Sequence, residues 1–161
     1  MKTAFLFSGQ GAQKLGMAKD LYDEFDIVRE TFDQASQVLG YDLRELIDND
    51  EAKLNETQYT QPAILTTSVA ILRLLSEQGI KPDLVAGLSL GEYSALVASG
   101  ALDFPEAVAL VAKRGQYMTE AAPTGSGKMV AVMNTDPALI EEICQKAAEF
   151  KGGIVSPANY N

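Results

Sequence analysis

The sequence predicts an α/β protein built on a parallel sheet, and three observations carry that prediction. TAFLFSG (3–9) and PDLVAGLS (82–89) are short, mostly apolar runs that end at glycine or at a glycine-led serine, as buried strands entering tight turns do. Each is followed by helical periodicity, and alternation of strand and helix builds a parallel sheet with helices on both faces. The chain of 161 residues is 47% hydrophobic and 22% charged, the balance of a packed globular protein rather than a disordered one.

The first strand runs into the turn GQGAQKLG (9–16). Over 16–39, Met17, Leu21, Phe25, Val28, Phe32, Ala35 and Leu39 form a 3.6-residue stripe, which predicts a helix with room for one break. TQPAILTTSVAILRLLSEQG (60–79) predicts a helix with Thr60 as N-cap, Pro62 near its first turn and Gly79 as its stop. Its middle is apolar nearly all round, so it is expected at the centre of the fold. LGEYSALVASG (90–100) predicts a helix closed by Gly100, and DFPEAVALVAKRGQYMTEAA (103–122) one that starts at an Asp103 cap with Pro105 and stops before Pro123.

PTGSG (123–127) reads as a linker and divides a large part, 1–124, from a second one, 125–161. The second part predicts strand KMVAVMN (128–134), a helix capped by Asp136 with Pro137 at its first position, and strand GGIVSPANYN (152–161). One such unit is too small to bury its own apolar faces, so the chain is expected to stop inside a second subdomain.

With 13 Lys and Arg against 22 Asp and Glu, the net charge is −9, a field that works against nucleic-acid or anionic-membrane partners. The start MKTAFLFSGQ holds only a short apolar run, so a cytoplasmic protein is expected. With one cysteine and no histidine, neither an internal disulfide nor a metal site is expected, and Cys144, beside Ile140 and Ile143, reads as a half-buried apolar residue.

The chemistry concentrates in GLSLG (87–91). Gly-x-Ser-x-Gly between a strand and a helix is the nucleophile-elbow pattern: small neighbours let the backbone turn sharply and leave the Ser89 oxygen exposed at a helix N-terminus. A plain glycine-rich turn is the bland alternative. In such a site the N–H of Leu90 donates to the developing oxyanion, and a second N–H must come from another strand-end loop. SGQG (8–11) also follows a buried strand and is expected to open at the same sheet edge, which nominates Gln10, with a plain tight βα turn as the other reading. Arg114 falls inside the apolar stripe Phe104, Ala107, Val108, Val111, Gly115 and Met118. A guanidinium there suits bidentate capture of a substrate carboxylate, with snorkelling to solvent or a structural ion pair as the other readings. Two nucleotide motifs fail on their own terms. The third glycine of G-x-G-x-x-G would fall at Lys14, and TGSGKM lacks the earlier glycine and the Ser or Thr of a phosphate loop.

Taken together, FLFSGQGAQ, TQPAILTTSVA, GLSLGEYSALVASGALDF, AVALVAKRGQYMTEAAP and SPANYN, in this order and spacing, resemble the malonyl-CoA:acyl carrier protein transacylases of fatty acid synthesis and the related acyltransferase domains of polyketide synthases. The resemblance spans the whole chain. It implies an α/β-hydrolase-like large subdomain with an inserted ferredoxin-like small one, of which 125–161 is the first part. It implies that Ser89 carries the malonyl ester, that Gln10 and Leu90 supply the oxyanion N–H groups, that Arg114 grips the malonate carboxylate and that Met118 lines the acyl pocket. It also implies a coenzyme A thioester and acyl carrier protein as partners, with no cofactor and no metal. This chain departs from the family in two ways: Leu88 stands where many members have histidine, and members run to about twice this length, with the catalytic histidine in the part absent here. The proton acceptor for Ser89 is therefore expected on a second polypeptide or on the rest of the protein. A serine thioesterase or hydrolase, and a non-catalytic fragment or scaffold half, are the rival readings.

Overall fold

The computed structural model describes residues 2–123 and 125–160. It divides into two compact units, Met1–Thr124 and Gly125–Asn161.

In the first unit, strand β1 (Ala4–Phe7) lies parallel to β2 (Leu84–Gly87) in the register Ala4 to Leu84 and Phe7 to Gly87. Asp83 ties the start of the pair: its carboxylate accepts from the Thr3 N–H (2.7 Å) and its own N–H donates to the Thr3 carbonyl (2.8 Å). Between the strands run α1 (Lys19–Glu24), α2 (Asp26–Leu39), α3 (Leu43–Asn49), α4 (Glu51–Leu54) and α5 (Thr57–Glu77). After β2 come α6 (Gly91–Ala98) and α7 (Phe104–Ala121). The fold is thus α/β and helix-rich around a small parallel sheet.

Helix α5 is the centre, packed against α2, α4, α6 and α7. Ala63, Ile64, Leu65, Val69 and Ala70 are buried along it and meet Val28, Phe32 and Ala35 of α2 and Ala107, Val108 and Val111 of α7 in one apolar cluster. This central, buried placement agrees with its nearly all-round apolar sequence. Its start differs from expectation. The N-cap is Glu56, a turn earlier, and Thr60 is inside the helix with its hydroxyl donating to the Leu54 (2.6 Å) and Glu56 (3.0 Å) carbonyls. Burial of Thr60 and Pro62 against the core outweighs the local start signal. The periodic stretch 16–39 breaks once, at Phe25, whose extended backbone (φ −115°) separates α1 from α2.

The sheet departs further from expectation. Among the described residues it has two strands, and helices cover one face only. Phe5, Phe7 and Val85 are half-buried on the side that α6 packs against, whereas Leu6 (80% exposed) and Leu84 (65%) stand bare on the other.

The second unit contains α8 (Pro137–Lys151), capped as expected by the Asp136 carboxylate on the Ala138 N–H (2.9 Å). Cys144 on this helix is half-buried. The strands predicted at 128–134 and 152–161 are not formed among the described residues. Met129, Val130, Met133 and Ile154 are exposed, and an apolar segment becomes a strand only where a neighbour takes its ladder hydrogen bonds.

Candidate active site

The chain leaves β2 and reverses into α6 within the residues Gly87, Leu88, Ser89, Leu90 and Gly91. Ser89 sits at the apex with φ +52°, in the left-handed region that costs a non-glycine residue about 1 kcal/mol or more. Such strain persists only where the surroundings enforce it, and here they do. A Cβ on Gly87 would lie 2.0 Å from the Gly91 carbonyl, and one on Gly91 would lie 2.2 Å from the Phe7 carbonyl oxygen. Both positions therefore require glycine, and strand β1, strand β2 and the first turn of α6 meet at van der Waals limits. The turn closes on itself through Gly91 N–H to the Leu88 carbonyl (2.9 Å) and Glu92 N–H to the Ser89 carbonyl (3.2 Å). The elbow predicted from the sequence is formed, with Ser89 exposed.

The loop after β1 lies beside it, since the Leu88 N–H donates to the Phe7 carbonyl (3.1 Å). Gln10 follows three residues later, its side-chain amide anchored on the Thr57 hydroxyl at the start of α5 (3.1 Å). Among the described residues the backbone N–H groups of Gln10 and Leu90 donate to no protein acceptor.

Arg114 comes from α7 and reaches the elbow. Its Nη2 donates to Ser89 Oγ (3.1 Å), its Nη1 donates to the Gln61 side-chain carbonyl (2.8 Å), and its guanidinium lies 5.6 Å from the centroid of the Tyr93 ring. It is half-buried, and among the described residues no carboxylate pairs with it. Among the described residues, then, the structural ion pair is not formed. Met118, one turn on, receives the Gln61 Nε2 hydrogen at its sulfur (3.2 Å) and lines a shallow groove of about 340 Å³ with Leu110, Lys113, Arg114, Tyr117 and Ala121.

The crossing of α5 and α7 sets this geometry. A Cβ on Gly115 would meet Gln58 Cα at 2.7 Å and the Thr57 carbonyl oxygen at 2.8 Å, so the helices touch backbone to backbone next to Arg114. Sequence reasoning did not find three participants. Thr57 and Tyr93 carried no signal, and Gln61 was hidden in what looked like the polar start of a helix. A cationic side chain held at a strained, exposed serine by neutral partners can orient an anionic acyl group for attack. Such an attack requires a base, and the chain has no histidine, the side chain that most often fills that role.

Residues 4–156 match the model of the acyl transferase domain. The chain belongs to that family. It is 51% identical over 160 residues to the malonyl CoA-acyl carrier protein transacylase of Escherichia coli K12, covering 98% of this chain and 51% of that protein. Among solved structures it is similar to MCAT from Streptococcus pneumoniae, with TM-score 0.88 and 74% identity over 99% of this chain and 52% of that one. It is also similar to a structure of a type II PKS acyl-carrier protein in complex with its malonyl-transacylase, with TM-score 0.91 and 48% identity over 99% of this chain and 52% of that one. The chain thus spans about half the length of the relatives it matches.

Proposed function

We propose that this chain forms the nucleophile-bearing half of a transacylase that moves a malonyl group from malonyl-CoA to the phosphopantetheine thiol of acyl carrier protein, as in fatty acid biosynthesis. The observation that carries the proposal is Arg114, held on Ser89 Oγ and on the neutral Gln61 amide with no carboxylate partner among the described residues. Its charge remains available for the free carboxylate of a malonyl group.

In the proposed reaction Ser89 Oγ attacks the thioester carbonyl while a base takes its proton, the Leu90 and Gln10 N–H groups hold the oxyanion, and coenzyme A departs as the thiol. The carrier thiol then attacks the serine ester and regenerates Ser89. Met118 borders the acyl group. The chemistry calls for no cofactor or metal. The base comes from the rest of the protein or from a second polypeptide. The bare sheet face at Leu6 and Leu84 supports this, because apolar side chains on a parallel sheet are normally covered. On this reading the large unit is part of an α/β-hydrolase-like sheet, 125–161 starts a ferredoxin-like subdomain whose strands pair when it is complete, and the protein works in the cytoplasm. The likeness to a transacylase solved with its carrier protein supports the carrier as acceptor.

The test mixes the purified chain with malonyl-CoA and phosphopantetheinylated carrier protein, with and without the histidine-bearing remainder of a family member. Malonyl-carrier formed only in the complemented mixture is the expected result. Free malonate in place of malonyl-carrier would make the protein a hydrolase, and no turnover in either mixture would leave it a non-catalytic half.

A further inference from the structure

We infer that Gln61 is a positioning residue that makes Arg114 selective for acid-bearing acyl groups; this rests on the reading just given and deepens it. Gln61 is fully buried in α5, flanked by buried Thr60, Pro62, Ala63, Ile64 and Leu65. A buried amide is costly unless its polar atoms are engaged. Here the carbonyl accepts from Arg114 Nη1 at 2.8 Å, and the amino group is turned to the Met118 sulfur, a weak acceptor, at 3.2 Å. Both contacts face α7 across the crossing fixed at Gly115, so the amide has little room to move.

The choice of an amide has a chemical consequence. A carboxylate at this position would bind the guanidinium more tightly, but would also neutralise it. Gln61 instead orients one arm of Arg114 and leaves the positive charge uncompensated. The other arm rests on Ser89 Oγ, where an acyl group would be attached. A substrate carboxylate entering there would find a cation already aimed and not yet paired, which is the preorganisation that bidentate recognition requires. Gln61 thus sets position and free charge together, without touching substrate.

The measurement is the single-turnover loading of Ser89 from malonyl-CoA and from acetyl-CoA by intact mass, with KM and kcat for each, in the protein complemented with the histidine-bearing remainder of a family member. Two variants are compared with the unchanged protein. Gln61→Glu keeps size and shape but neutralises Arg114, and Gln61→Met keeps volume but removes the anchor. The malonyl-to-acetyl ratio is expected to fall about tenfold or more in both, chiefly through KM for malonyl-CoA, the loss expected when a charge-assisted hydrogen bond is disabled. A ratio within about twofold of the unchanged protein, or equal losses for the two donors, is what a purely structural glutamine gives and would overturn the inference. If the unchanged protein shows no preference for malonyl, the inference falls together with the malonyl reading; if it does and the variants keep it, the inference alone fails.

Discussion

Replacing Gly91 by alanine reverses the sign that helix propensity assigns to it. Gly91 is the first residue of α6, and alanine is favoured over glycine in a helix by about 1 kcal/mol. The added methyl, however, would stand 2.2 Å from the Phe7 carbonyl oxygen, 2.8 Å from the Phe7 carbonyl carbon and 2.9 Å from the Ser8 oxygen. Carbon–oxygen contacts settle near 3.3 Å, so α6 and the end of β1 must separate by about 1 Å. All three obstructing atoms are backbone, and none can rotate away as a side chain does. Overpacking of this kind costs about 3 kcal/mol, which leaves a net destabilisation of about 2 kcal/mol after the propensity gain. In urea, with a slope of about 2 kcal/mol per molar, the midpoint followed by circular dichroism should drop by about 1 M. Gly153→Ala, where the methyl meets nothing within 4 Å, is the control and should shift stability by less than about 0.5 kcal/mol. A Gly91→Ala midpoint equal to or above that of the unchanged chain would refute the close approach on which the elbow geometry rests.

Phe32, 1% exposed in the core and stacked beneath the Arg44 guanidinium at 5.0 Å, should cost about 3–5 kcal/mol on truncation to alanine, read as a fall in melting temperature. Asp42→Ala removes the carboxylate that accepts from the Glu45 N–H (2.9 Å) at the start of α3 and should cost about 1 kcal/mol in the same assay. Burial, and secondarily the neighbouring Tyr59, holds the Tyr41 phenol well above its ordinary range. The folded chain then keeps a proton that the unfolded chain releases above about pH 10, so this contribution is intact below that pH and is lost as pH rises beyond it. Urea midpoints between about pH 9 and pH 11 should therefore fall less steeply in Tyr41→Phe than in the unchanged chain.

The reasons some features were legible in the sequence and others were not are physical. Ser89, Gly87 and Gly91 form a local pattern whose glycines are demanded by contacts within the same turn, so five consecutive residues announced the elbow. Arg114 was visible because a cation interrupted an apolar stripe. Gln61 was not, because Thr60 followed by Pro62 imitates a helix start and put Gln61 at a solvated first turn, whereas the helix begins at Thr57. Only the crossing with α7, a contact distant in sequence, reveals its role. Helices α3 and α4 carried a usable signal, since the Asp42 and Asp50 side chains accept from the N–H groups of Glu45 and Lys53. The expected strands at 128–134 and 152–161 failed for the opposite reason. Both runs hold apolar residues, but strand formation depends on a partner that no property of the run itself supplies.

Whether Ser89 is a nucleophile served by Arg114 can be read from the intact mass of the complemented protein after exposure to malonyl-CoA. A malonyl adduct that maps to Ser89 and is absent in Ser89→Ala is the expected result. An adduct of equal yield in Ser89→Ala, or none in the unchanged protein, would contradict it.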